Sequence, residues 1–147
     1  MLIQRVSFAS VEVNAEMISR VGAGMLILVG IEEEDGPEDV SWCVNKVMTM
    51  RIFQDLNGKM NLDIRETGGE LLVVSQFTLH ASTRKGNRPS FIKAAKPPKA
   101  LDLYGQVIHS FSATGVRIAS GIFGAEMKVS LCNDGPVTIL LDSKNRE

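Results

Sequence analysis

The chain has 147 residues, 44% of them hydrophobic and 22% charged, and a net charge of −1. That length and balance fit one globular domain with a substantial core. No apolar run approaches the roughly 20 residues needed to cross a bilayer.

The N-terminus, "MLIQRVSFASVEV", alternates like a strand and lacks a secretory signal's charged start and small-residue cleavage site, so a cytoplasmic protein is expected. A second short strand is expected near "EMISRVG". "GMLILVGIE" (24–32) is a continuous apolar strand of the kind buried on both faces. In "EEDGPEDVSWCVNKVMTM", Pro37 suits a first helical turn, and Glu38 and Asp39 oppose the positive end of the helix dipole. Val40, Cys43, Val44 and Val47 follow at the spacing of a helix packed on a sheet.

Asn57-Gly58 is a tight-turn signal between short extended pieces. "ELLVVSQFTLHA" (70–81) is the best strand signal in the chain. The loop "STRKGNRPSFIKAAKPPK" comes next, and then a helix, "ALDLYGQVIHSF", with Leu101, Tyr104, Ile108 and Phe111 on one side. Gly105 weakens that helix by up to about 1 kcal/mol relative to Ala. "GVRIAS", "AEMKVSL" and "PVTILLD" are three closing strands, with 142–147 expected as a frayed tail. The pattern predicts a β-rich α+β fold, a single domain over 1–147, with two helices packed on a sheet or open barrel.

The charge is unevenly spread. Leu71 to Leu101 contains no acidic residue but has Arg84, Lys85, Arg88, Lys93, Lys96 and Lys99, leaving ten basic against seventeen acidic residues elsewhere. Such a division suggests one face for a polyanion, with a solvated loop that happens to be basic as the competing reading. Cys43 and Cys132, without CxxC spacing, read as buried structural thiols, and His80 and His109 stand alone. No metal-ligand spacing occurs, so neither a metal nor a cofactor is expected.

Familiar nucleophile signatures are missing as well. Thr78 and His80 share a strand face on this reading, but about 6.6 Å apart at 3.3 Å per residue, which does not make a dyad. "KGNRPSF" offers Lys85 and Arg88 to a phosphate, with Phe91 able to stack on a base or simply to serve the core. "NDGPVT" raises its own question, because Pro136 cannot donate to a sheet ladder and Gly135 lets backbone approach something closely. These residues alone leave the function open.

Five blocks narrow it: "IQRV" (3–6), "MRIFQDLNGKMNL" (50–62), "LLVVSQFTL" (71–79), "KGNRPSF" (85–91) and "FGAEMKVSLCNDGPVT" (123–138). In order and spacing they resemble the D-aminoacyl-tRNA deacylase family across nearly the whole chain. The resemblance implies a homodimer with active sites at the subunit interface, hydrolysing the ester between a D-amino acid and the tRNA 3′ end. Ser75, Gln76, Phe77 and Thr78 would form the catalytic segment, with the Phe77 and Thr78 N–H groups on the oxyanion and the substrate's 2′-OH helping the attacking water.

Gly135-Pro136, in the family a cis peptide reaching into the other subunit's site, would reject L-amino acids, positioned by Asn133, Asp134, Val137 and Thr138. The resemblance further implies that Arg5 holds this loop and that Phe123 and Met127 line the adenosine pocket, where ordinary core packing is the competing reading. Arg84, Lys85 and Arg88 fit tRNA phosphates. Glycine mischarged on a tRNA such as tRNA(Ala) is a second expected substrate, having no side chain to reject. The alternative is an RNA-binding module without catalysis.

Overall fold

A twelve-residue first strand, β1 (Leu2–Val13), organises the sheet in the computed structural model, which describes residues 1–146. On one edge β1 pairs antiparallel with β2 (Glu16–Val21) and β3 (Gly24–Val29), from Val13↔Glu16 to Leu2↔Leu28. Its other edge takes β8 (Lys128–Leu140), also antiparallel. From β3 the sheet continues through parallel pairings to β6 (Glu70–Ser75) and β7 (Ile118–Ser120). The path β2-β1-β3-β6-β7 then curls until Ser19 Oγ of β2 donates to the Ser120 carbonyl of β7 at 3.0 Å. The result is a mixed sheet that nearly closes as a barrel.

β3 and β6 are buried on both faces, as their unbroken apolar runs require. Met25, Ile27, Val29, Leu71 and Val73 face the helices, whereas Leu26, Leu72 and Val74 join Val6, Val11 and Val21 inside the barrel. Helix α1 (Pro37–Thr49) begins where expected, with the Asp39 carboxylate accepting the Gly36 N–H at 2.9 Å, and buries Val40, Cys43, Val44 and Val47. Burial pushes the Cys43 thiol pKa up. β4 (Phe53–Gln54) and β5 (Met60–Leu62) flank the Asn57-Gly58 turn, whose Asp55 carboxylate accepts the Asn57 and Lys59 N–H groups.

Two packed helices were expected, and a third, one-turn helix α2 (Ile64–Thr67) accompanies them. Asp63 caps it by accepting from the Arg65 and Glu66 N–H groups, and the Glu66 carboxylate accepts the Asp63 N–H at 2.7 Å. This reciprocal box with Gly68 behind it was visible as Asp-x-x-Glu-x-Gly. Helix α3 (Lys99–Ser112) buries Ala100, Leu103, Tyr104, Val107 and Phe111. Leu101, expected in that stripe, is half exposed, because the buried row starts one residue earlier at Ala100.

Three other expectations change. The strand predicted over 70–81 ends at Ser75, and Phe77–His80 wind a single 3-10 turn. The Gln76 N–H makes the last rung, to the Val29 carbonyl at 2.7 Å, and β3 ends there, so Phe77 has no neighbouring strand to follow. The last two predicted strands are one, with Asn-Asp-Gly-Pro inside β8. Cys132, expected buried, is exposed because β8 packs only one side of its length on the barrel. At the C-terminus, Lys144 Nζ lies 2.8 Å from an Asp39 carboxylate oxygen and the Arg146 guanidinium sits over the Trp42 ring. No helix among the described residues is long and apolar enough to cross a membrane.

Tyr104 ties α3 to β6: its buried hydroxyl donates to the Val73 carbonyl at 3.0 Å. Burial pushes this phenol up to about 12. An unfolded chain releases the proton near pH 10, so between about pH 10 and 12 the folded state holds more protons and stability falls as pH rises. Tyr104→Phe should cost about 1 kcal/mol at neutral pH. It should also flatten that alkaline decline, as measured by urea unfolding across pH.

Candidate active site

The Gly-Pro segment owes its shape to a mismatch between β1 and β8. Gln4 pairs with Thr138 and Val6 with Asn133, so the single residue Arg5 stands opposite the stretch Asp134 to Val137. The surplus backbone is pushed out of the ladder as a bulge, where a residue without an N–H does no harm. Asp134, Gly135 and Pro136 are exposed at its tip, and the Gly135-Pro136 bond is cis. Asn133 staples the base, with Oδ1 accepting the Val137 N–H at 2.9 Å and Nδ2 donating to Thr138 Oγ1 at 2.8 Å.

Arg5 lies beneath the bulge and is 7% exposed. Its Nε donates to the Asp134 carbonyl at 2.9 Å and its Nη1 to the Ile52 carbonyl at 2.6 Å. Both partners are carbonyls, and the guanidinium forms no ion pair among the described residues. Gly135 has φ +135°, and a Cβ there would stand 2.7 Å from Arg5 Nη2 and 2.8 Å from Val137 Cγ2. Only glycine suits that backbone and that gap. The Ile52 partner, contributed by the approach to β4, had no local signal in the sequence.

Ser75, Gln76 and Phe77 line a separate cavity of about 500 Å³ together with Phe91, Phe123 and Met127. Phe77 meets Phe91 edge-on, with ring centroids 5.0 Å apart, and Phe123 leans on Tyr104 at 5.6 Å. In the 3-10 turn the first bond runs from the Leu79 N–H to the Gln76 carbonyl at 3.3 Å. The Phe77 and Thr78 N–H groups precede it and have no carbonyl to serve within the turn. Gln76 Nε2 donates to Thr78 Oγ1 at 2.5 Å, so the partner of that hydroxyl is Gln76 and not His80.

The structure thus brings Ser75, Gln76, Phe77, Phe123 and Met127 together on one cavity, and Arg5 with Gly135 and Pro136 at another place. None of Asn133 to Thr138 lines the cavity beside Phe77. Arg84, Lys85 and Arg88 are exposed on a loop tip pinned by the reciprocal Ser82–Ser90 backbone bonds of 2.8 and 2.9 Å. Lys96, from the same basic stretch, reaches the aromatic cavity, whereas Arg84 and Lys93 line a different one of about 600 Å³ behind the turn. No group of three or more potential metal ligands gathers among the described residues.

The family model described as D-Tyr-tRNA(Tyr) deacylase matches residues 2–142. The chain belongs to that family. It is 58% identical to a D-aminoacyl-tRNA deacylase of Bacteroides thetaiotaomicron over 99% of its own length and 98% of the relative's. A D-aminoacyl-tRNA deacylase of Akkermansia muciniphila is also 58% identical, over 100% and 99%. Among solved structures, one named c-Myc DNA Unwinding Element Binding Protein superposes with a TM-score of 0.90, at 39% identity and 96% coverage of both chains. Membership makes the chain a hydrolase of the D-aminoacyl-tRNA deacylase class.

Gly135→Ala should lower unfolding free energy by about 1–3 kcal/mol, since it combines an unfavourable φ with a clash against Arg5. The folded fraction should have lost most of its deacylase activity. Chemical denaturation followed by activity per folded molecule checks both.

Proposed function

We propose that the chain hydrolyses the ester of D-aminoacyl-tRNA in the cytoplasm, releasing D-amino acid and tRNA, as a homodimer whose sites combine residues of both subunits. The observation that carries this reading is the separation just described. The catalytic turn opens on a cavity that the same chain's Gly-Pro bulge does not line, while the bulge is held rigidly outward. A second copy can supply the missing half.

In that assembly the Phe77 N–H, with that of Thr78, receives the charge developing on the ester carbonyl oxygen. A donor of this kind is typically worth about 2.7–4 kcal/mol of transition-state stabilisation. Thr78, engaged by Gln76, serves position and not attack. The substrate's own 2′-OH helps activate water, which accounts for a site without a side-chain base. Phe123 and Met127 hold the adenosine, and Arg84, Lys85 and Arg88 take phosphates through contacts that weaken with salt.

Gly135-Pro136 presents backbone to the α-carbon of the amino acid. An L side chain would be driven into that backbone, whereas a D side chain points away, so selectivity arises by exclusion. Glycine has nothing to exclude, and glycine mischarged on a tRNA such as tRNA(Ala) is accepted too. The name of the structural relative at 39% identity, which speaks of binding a DNA element, favours one rival, a nucleic-acid-binding module without turnover.

The test is a paired time course on one tRNA charged with D-tyrosine and, separately, with L-tyrosine. The D ester should disappear rapidly and the L ester should persist at its uncatalysed rate. Loss of both would refute the filter. Loss of neither, with salt-sensitive binding, would select the binding module.

A further inference from the structure

The 3-10 turn has two sides. Phe77 faces the aromatic cavity, whereas Leu79 and His80 line the larger cavity behind it, and Val29 and Ile31 border both. The turn stands between the two cavities, so whatever supports its rear face sets where the Phe77 and Thr78 N–H groups stand. His80 occupies that rear face. Its Nε2 is buried without a hydrogen-bond partner. Its Nδ1 lies 3.8 Å from Glu32 Oε2, beyond hydrogen-bond distance.

A buried nitrogen without a partner costs free energy, so polar bonding does not explain this histidine. Its shape does. The ring is pressed onto Gly30, the residue after β3. A Cβ on Gly30 would stand 3.0 Å from His80 Nε2, 3.1 Å from His80 Cδ2 and 3.1 Å from the Gln76 carbonyl oxygen. Gly30, the Gln76 carbonyl and the His80 ring therefore meet at one point. That same Gln76 carbonyl accepts the first bond of the turn, from Leu79, while the Gln76 N–H is fixed to Val29 at 2.7 Å.

We infer that His80 is a positioning residue, whose ring wedges between the end of β3 and the 3-10 turn and fixes the backbone donors that act on the ester. The inference rests on the proposed oxyanion role of the turn. It assigns to His80 no proton transfer and no contact with substrate. The ring does its work by occupying space, and the cavity at its open side, about 600 Å³, has room for a larger aromatic ring.

The test compares His80→Ala with His80→Phe in deacylation of D-tyrosyl-tRNA and in amide hydrogen exchange. His80→Ala should lower kcat by about tenfold or more, with KM and the preference for D over L unchanged, as a small misplacement of catalytic groups does. Exchange at Leu79 and Ala81, whose N–H groups close the turn, should quicken in parallel. His80→Phe should restore most of kcat and protection, and raise thermal stability by removing the unpaired nitrogen. Wild-type kcat and protection in His80→Ala would overturn the inference. So would a His80→Phe variant as slow as His80→Ala.

If His80→Ala does not fold, Gly30→Ala asks the same question from the other side of the contact. Its added methyl should displace the ring and the Gln76 carbonyl and lower kcat, and an unaltered kcat would overturn the proposal. Hydrogen exchange needs no turnover. A wild-type protein that hydrolyses nothing would refute the esterase reading, while exchange would still decide whether His80 seats the turn.

Discussion

A buried guanidinium bonded to two backbone carbonyls sets the geometry on which the rest depends. Arg5 occupies one position of β1 yet meets the bulge of β8 on one side and Ile52 on the other. Without such donors, the buried Ile52 carbonyl would be left short of a partner, at a cost of about 1–3 kcal/mol, and the Asp134 carbonyl would lose its anchor to the sheet. With them, an irregular stretch of backbone becomes a fixed projection. The lack of a carboxylate partner matters, since carbonyls accept from the planar fork without neutralising it and leave the geometry to backbone.

The second fixed point comes from the way β3 and β6 end together. Parallel pairing carries both strands to Val29 and Ser75, and the Gln76 N–H makes one more rung before the backbone turns away. The chain then tightens into a 3-10 turn with two unserved donors beside an aromatic cavity. Neither feature needs a reactive side chain. The chain belongs to a hydrolase family without a recognisable nucleophile–base pair, and the mechanism proposed above asks for none: it rests on backbone donors held on rigid elements and on the lability of the ester itself.

Much of this was legible in sequence where pattern and local rule agree. Pro37 with the Val40–Val47 stripe gave α1, and the apolar runs of β3 and β6 announced burial on both faces. Errors arose where tertiary context decides. Nothing in "LLVVSQFTLHA" says that the neighbouring strand stops at Val29, so the run reads as one strand through Ala81. "NDGPVT" reads as a turn before a strand, because only the partner β1 reveals that one residue there faces a longer stretch. Cys132 reads as buried because an edge strand alternates as a covered one does. The α2 cap was written locally and went unread. Phe123 and Met127 share one cavity with Ser75, Gln76 and Phe77, a grouping that no spacing in the sequence predicts.

Complementation decides whether one site draws its turn from one subunit and its Gly-Pro bulge from the other, as proposed above. Phe77→Pro deletes a turn N–H, and Gly135→Ala spoils the bulge; each homodimer should be nearly inactive. Mixed and re-equilibrated in equal amounts, half the molecules become heterodimers, each with one site built from two intact halves. Deacylation of D-tyrosyl-tRNA should then return to about a quarter of the wild-type rate, as statistical pairing in a two-fold dimer requires. A mixture no more active than its parents would contradict the shared site and place both motifs at work within one chain.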